Sequence, residues 1–200
     1  MNNFSGRHHA IRVIVLSLIM LLLSACATKK KEPSPEVDPA AQRQAAYKLE
    51  LLTVLETWRD DALEDSVAAL QALTENYPEG VEAWVNLGVA YYRQSDYVRA
   101  ERALSQALEV DAQNKTALNY LGLVKRQQGE FAQAESYYRQ ALEIDPDYPA
   151  AVRNLAILLD LYRGQLVEAL ALYEHYQGLV GDEAEPRLKD WIFDIKSRIE

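Results

Sequence analysis

Few side chains in this 200-residue chain suit covalent or metal chemistry. Cys26 is its single cysteine, and of three histidines His8 and His9 lie within the first 25 residues, which leaves His175. Nucleophilic triads and most zinc sites draw on several His or Cys residues, so a catalytic site here would have to rest on carboxylates. Carboxylates are plentiful, but Glu101, Glu109, Glu135 and Glu143 recur at matching places in two helical segments, where charge is a solvated face. His175 falls on a third such segment as a packing or surface residue. Gly88, Gly122 and Gly129 lack the spacing and the lysine of a phosphate-binding loop. The expectation is a chain with no catalytic residue, no metal and no cofactor. A net charge of −9 disfavours nucleic acid, because counterion release needs clustered Lys and Arg facing phosphate.

The elements that must position any functional residue repeat themselves. Gln106-Ala107-Leu108-Glu109-Val110-Asp111 returns as Gln140-Ala141-Leu142-Glu143-Ile144-Asp145, Leu87-Gly88 as Leu121-Gly122, Tyr97 as Phe131, and Ala100-Glu101 as Ala134-Glu135, all 34 residues on. A period of this length marks a helix-turn-helix solenoid, whose units bury their apolar faces only by stacking. A third unit starts at Pro149 with Val152, Leu155, Ala156 and Leu159. Its Gly164, Ala169 and Tyr173 trail Gly129, Ala134 and Tyr138 by 35 residues, so one residue inserted near Tyr162-Arg163 should alter its turn.

Flanking helices complete the stack. Ala41, Ala45, Leu49, Leu52, Leu55 and Trp58 form a helical stripe; Asp60 or Asp61 caps a following helix that carries Leu63, Val67, Leu70 and Leu73 and ends at Tyr77-Pro78. Pro78 lies two periods before Pro146, so this pair reads as a degenerate terminal repeat. Past Gly181, Pro186 opens a last helix with Leu188, Trp191, Ile192, Ile195 and Ile199 on one stripe, expected to cap the exposed end of the stack. Docking of a partner is the alternative role for that helix.

The N-terminus carries a different kind of information. Arg7 and Arg12, with no acid, precede an apolar run from Val13 to Leu23. The run is shorter than the roughly 20 residues a spanning helix needs, yet it suits a secretory signal. Leu23-Ser24-Ala25-Cys26 resembles the lipobox of bacterial lipoproteins, in which the cysteine thiol is diacylglycerylated and the peptide before it removed. That resemblance implies Cys26 as the lipid-attachment residue, with palmitate among its acyl chains and more than one chain for stable anchoring. Ala27, where an Asp would resemble an inner-membrane retention signal, implies the periplasmic face of the outer membrane. Ala27 to Pro39, with three prolines, reads as an extended tether whose Lys29, Lys30 and Lys31 sit beside the lipid.

Counted from Val81, the residues Trp84, Leu87, Gly88, Tyr91, Ala100, Leu104 and Ala107 resemble the signature of the tetratricopeptide repeat. Counted from Lys115, Leu118, Leu121, Gly122, Ala134, Tyr138, Ala141 and Pro146 match it as well. Lys125 departs, placing a charge where an aromatic usually packs; its stem is expected to cover the site while the amine reaches water. Gly88, Gly122 and Ala156 are expected to let paired helices approach closely, with Trp84 and the tyrosines filling the space between hairpins. The expected fold is all-α. It comprises a signal peptide over 1–25, an acylated Cys and tether over 26–39, a degenerate helix pair over 40–80, repeats over 81–114, 115–148 and 149–182, and a capping helix over 183–200.

In the family it resembles, the first helix of each repeat lines a concave groove. Carried over by position, the groove residues are Glu82, Val85, Asn86, Val89, Tyr92 and Arg93 in the first unit. Thr116, Asn119, Tyr120, Leu123, Arg126 and Gln127 follow in the second, and Ala150, Arg153, Asn154, Ile157, Asp160 and Leu161 in the third. Asn side chains can bond a peptide backbone, Val89, Leu123 and Ile157 give an apolar floor, and Tyr and Arg are frequent binding hot spots. Val85 and Val89 stand where some relatives use Lys and Asn to clamp a terminal carboxylate, which points to an extended or helical partner segment. A terminal helix of the chain itself is a rival occupant of this groove. The resemblance implies a non-enzymatic outer-membrane scaffold or assembly factor, similar to type IV pilus pilotins or to small repeat lipoproteins of TonB/ExbB/ExbD systems. Its expected partners are envelope proteins, and the membrane through the lipid; no nucleic acid or small-molecule substrate is expected. A peptidoglycan-binding or peptidoglycan-enzyme accessory is the alternative, and it would want paired acids in the groove, where only Glu82 and Asp160 occur.

Overall fold

The computed structural model describes residues 38–58, 63–181 and 185–200. The expected signal peptide, Cys26, the tether before Asp38 and the caps Asp60 and Asp61 lie outside the described residues. Two units divide the chain at residues 42 and 43, and of the first only residues 38–42, which open the first helix, are described. Every regular element among the described residues is helical: α1 (Pro39–Thr57), α2 (Leu63–Asn76), α3 (Val81–Arg93), α4 (Tyr97–Val110), α5 (Lys115–Gln127), α6 (Phe131–Ile144), α7 (Pro149–Leu158), α8 (Leu166–Val180) and α9 (Leu188–Ile199). No described helix is long and apolar enough to cross a membrane.

Helix boundaries follow local chemistry. Asn114 accepts the Ala117 N–H at 3.0 Å and Asp96 accepts the Arg99 N–H at 3.0 Å, so each caps the helix that follows it. Pro149 occupies the first turn of α7, where its missing N–H costs nothing. Within each unit the two helices pack antiparallel on one another, α3 on α4, α5 on α6 and α7 on α8. Successive units join through α4 with α5 and α6 with α7, and the first helices also meet in series, α3 with α5 and α5 with α7. Close approach inside a hairpin requires glycine. A Cβ on Gly88 would lie 2.5 Å from Leu104 Cγ, and one on Gly122 would lie 2.4 Å from Tyr138 Cε1.

The third unit absorbs its extra residue as a π-helical turn, Leu159–Arg163, closed by Gly164 in the left-handed region at φ 66°. One added residue in a helix is accommodated by a single i→i+5 turn. The corresponding turn of the first unit places Ser95 at φ 60°, where the second unit has Gly129 at φ 79°. A left-handed L-residue costs roughly 1–2 kcal/mol, partly offset by the unfolded-state entropy that glycine adds. Ser95→Gly is therefore expected to stabilise the fold by about 0.5–1 kcal/mol, read as a higher midpoint in thermal denaturation.

Three expectations about packing are corrected. On α1, Leu49 and Leu52 are 68% and 58% exposed, whereas Tyr47 and Leu51 are buried. Tyr47 decides the matter. Its ring sits where only Gly80 leaves room, its hydroxyl donates to Glu82 Oε2 at 3.0 Å and accepts from the Ala83 N–H at 3.1 Å, and this fixes the face that α1 turns inward. Lys125 is buried and its amine does not reach open water. Nζ lies 2.7 Å from Glu101 Oε1 of the preceding unit and 3.2 Å from Glu130 Oε2 in the turn after α5, so the charge replacing the usual aromatic is neutralised where α4 meets α5. Burial alone would lower its pKa, but these bonds outweigh burial and hold it above the usual value. Pro186 lies in a turn before α9 and not in its first helical turn.

Several carboxylates are held below their ordinary range by specific donors: Asp96 by the Arg99 N–H and guanidinium, Asp145 by Lys115, Glu79 by Arg43, and Glu168 by Arg139. A depressed folded-state pKa contributes stability that is complete above the unfolded value of about 4 and is lost as pH falls through the folded value. The thermal midpoint is expected to stay level from pH 8 to 5 with respect to these groups and to fall below about pH 4, measured by circular dichroism.

Candidate partner-binding groove

Each first helix turns one face to its own hairpin partner and leaves the opposite face for the groove. On α3 the buried side carries Leu87, Gly88 and Tyr91, and the groove side carries Asn86, Val89, Tyr92 and Arg93. Val89 and Tyr92 are half-buried against the first core cluster; Leu123 and Ile157 are half-buried against the second. Tyr92 meets Tyr120 of α5 edge-on at 5.9 Å and Tyr97 at 5.8 Å, while Gln127 Nε2 donates to its hydroxyl at 3.4 Å. Burial, then the neighbouring Tyr148, raises the Tyr120 pKa, with Arg93 acting in the opposite sense. An aromatic platform thus bridges α3 and α5.

Beneath it, Tyr138 is fully buried and its hydroxyl finds no hydrogen-bond partner among the described residues. Burial drives the Tyr138 pKa up, and Arg126 on the groove side of α5 pulls it down. Arg126 has no carboxylate at ion-pair distance among the described residues. Arg93 lies 5.9 Å over the Trp58 ring at the end of α1.

Other expected groove residues serve the fold. Asn154 Nδ2 donates to Asn119 Oδ1 at 2.9 Å and both side chains are buried, which ties α7 to α5 and removes them from the reading face. Adjacent first helices pass so closely there that polar groups at these positions must satisfy each other. Asn86 donates to the Glu82 carbonyl one turn earlier. Arg153 pairs with Glu185 at 2.8 Å and lies 5.6 Å over Trp191. Asp160, buried, accepts from Arg198 at 2.6 Å and from the Tyr173 hydroxyl at 3.4 Å. The C-terminal segment thereby takes up polar positions of the third unit, which narrows the candidate groove face to Val89, Tyr92, Arg93, Tyr120, Leu123 and Arg126, with Ile157 at its edge.

The two acids of the mapped groove are both engaged internally, Glu82 by Tyr47 and Asp160 by Arg198. Neither is placed opposite another for acid–base work on a glycan. His175 lies 3.1 Å from Asp147 Oδ1 and 3.3 Å from the Pro146 carbonyl oxygen, at the surface of a repeat junction. Sequence reasoning missed Tyr47; its signal was Gly80, whose missing side chain admits the ring.

Comparison with known proteins agrees with this geometry. A tetratricopeptide repeat model matches residues 81–147 and 113–177, and a second model of the same description matches 58–101. Together they span more than half of the chain and reach the degenerate helix pair. No curated protein matches the chain. Among solved structures it is similar to Pseudomonas aeruginosa PilF, with TM-score 0.70, 20% identity, 78% of this chain and 70% of that one covered. It is also similar to the Yersinia enterocolitica type III secretion chaperone SycD in complex with a peptide of the translocator YopD (TM-score 0.55, 21% identity, 60% and 94% covered). A third likeness is to the first repeat domain of Spaghetti (RPAP3) bound to an HSP90 peptide (TM-score 0.55, 18% identity, 60% and 92% covered). At these identities the likeness is one of fold. From its 34-residue period, its paired helices with glycine at their crossings, and the two family models, this chain belongs to the tetratricopeptide repeat family.

Proposed function

We propose that this protein is a non-enzymatic lipoprotein, held at the periplasmic face of the outer membrane through Cys26, whose α3–α5 face docks a protein partner during assembly of an envelope complex. The observation that carries this reading is the Tyr92–Tyr120 platform bridging α3 and α5, with Arg126 on the same groove side of α5. The fold is one of protein–protein interaction, and peptides occupy it in the SycD and RPAP3 complexes. The likeness to PilF favours a type IV pilus role, resembling that of a pilotin, over one with TonB/ExbB/ExbD-type machinery.

The anchor and the groove are tested separately. Labelled palmitate is expected to enter the wild-type chain in a Gram-negative host and not Cys26→Ala; absence of label in the wild type overturns the anchor. A photoreactive residue replacing Tyr120 is expected to give a discrete crosslinked envelope protein, identified by mass spectrometry, which Arg126→Glu diminishes. A pattern no different from a probe placed at exposed Gln133 on α6 overturns the groove.

A further inference from the structure

A second cleft lies away from the groove, between α2 and α4, with α3 as its floor. Its volume is about 260 Å³. That is below the roughly 300–1,000 Å³ of a pocket for a drug-sized ligand and of the order of one large side chain. Trp84, Leu87 and Tyr91 form the floor, and Thr74 and Ala103 stand on the two walls. The Trp84 indole N–H is satisfied by the Pro78 carbonyl at 2.9 Å, so what the half-buried ring offers the cleft is apolar surface.

The repeat itself shows what fits. One period later Ala103 becomes Tyr137, Thr74 becomes Leu108 and Trp84 becomes Leu118, and there Tyr137 and Leu108 pack on Leu118 and close the gap. The first junction therefore lacks a tyrosine-sized group that the second supplies from its own sequence. Its rim differs as well. Arg102 on the α4 wall has no carboxylate at ion-pair distance among the described residues, while its counterpart in the next repeat is Ser136. Glu75 stands on the opposite, α2 wall, so an anionic group beside the aromatic is accommodated on the α4 side only.

We propose that this cleft is a second docking site, independent of the groove, which takes an aromatic side chain flanked by a carboxylate from a protein partner. Residues 26–37 contain no aromatic residue, so the segment between the proposed lipid and α1 has none to supply. Filling it from outside gives the first junction what Tyr137 gives the second, with Arg102 paired to the flanking acid.

The test uses the detergent-solubilised full chain labelled with 5-fluorotryptophan, whose three indoles are Trp58, Trp84 and Trp191. The probe is the peptide acetyl-Glu-Tyr-Glu-amide. The Trp84 fluorine resonance is expected to shift saturably, and the same peptide with Ala for Tyr is expected to leave it in place. Ala103→Tyr, which copies the second junction, is expected to weaken the shift at least tenfold while keeping or raising the thermal midpoint. Thr74→Leu is expected to weaken it from the other wall, and Arg102→Glu at least threefold. No shift at Trp84, an equal shift with the Ala peptide, or undiminished binding in both filled variants overturns the proposal. So does wild-type self-association abolished by Phe193→Ala, which would make the exposed Phe193 of a second copy the occupant. Crosslinking from Tyr120 is expected to be unchanged in Ala103→Tyr, so the groove and the cleft fail separately.

Discussion

Gly122→Val is expected to destabilise the protein by about 3 kcal/mol, at the upper end of the cost of overpacking a core. For a domain of this size that lowers the thermal midpoint by roughly 6–12 °C, measurable by circular dichroism. A Cβ there would sit 2.4, 2.6 and 2.9 Å from Cε1, Cδ1 and Cζ of Tyr138. The ring is fully buried and rigid, so relief requires the hairpin to open. At Gly88 the neighbour is Leu104, with Cγ at 2.5 Å and Cδ2 at 2.7 Å, and a leucine can change rotamer. Gly88→Val should therefore cost less than Gly122→Val. The pair is also expected to be strongly non-additive. Tyr138→Ala alone should cost about 3–5 kcal/mol through the cavity it leaves, but with that cavity present Gly122→Val should cost less than about 1 kcal/mol. Additive losses would mean that Gly122 acts on the backbone and not through the ring.

This crossing also shows what was legible in the sequence. Gly88 and Gly122 could be assigned to close approach because the repeat supplies two copies of one environment, and a residue that stays small twice at the same place has a steric reason. The 35-residue spacing in the third unit likewise anticipated an altered turn, since a helix must put an extra residue somewhere. What resisted reading was whatever depends on a partner outside the repeat. Leu49 and Leu52 fit a helical stripe as well as Tyr47 and Leu51 do. Only the space over Gly80, 33 residues from Tyr47, decides between them. Lys125 looked like a charge in search of water because Glu101 and Glu130 are neighbours in space and not in pattern. Asn119 and Asn154 had the composition of ligand-binding residues, and their mutual bond joins two helices whose approach no single repeat encodes. Position within the repeat thus specifies the hairpin, and contacts between unlike segments decide which of the candidate groove residues are taken up by the fold.

Removal of the residues after Gly181 is expected to have a larger effect still, and one that spreads unevenly. Leu188, Ile192 and Ile195 are at most 9% exposed, and burial of each is worth roughly 1.5–3 kcal/mol before the entropy of ordering α9 is counted. Their loss uncovers Tyr173 and Tyr176, which join the same cluster, and it strips Asp160 of Arg198, leaving the Tyr173 hydroxyl to donate to it. A buried carboxylate deprived of its cation is costly in its own right. Stacked repeats respond locally, because each unit leans on its neighbours alone. The truncated chain should consequently lose helical signal from α7 and α8 at a lower temperature than from α3 to α6, giving a broadened or two-step melt. Ile195→Asp, which leaves the chain length intact, should reproduce the early step. A truncated protein that melts as a single transition at the wild-type midpoint would show that α9 contributes nothing to the stack, and would recast it as a helix held ready for a partner. Capping predicts instead that freeing Arg153 and Asp160 for binding cannot be separated from unfolding the unit that carries them.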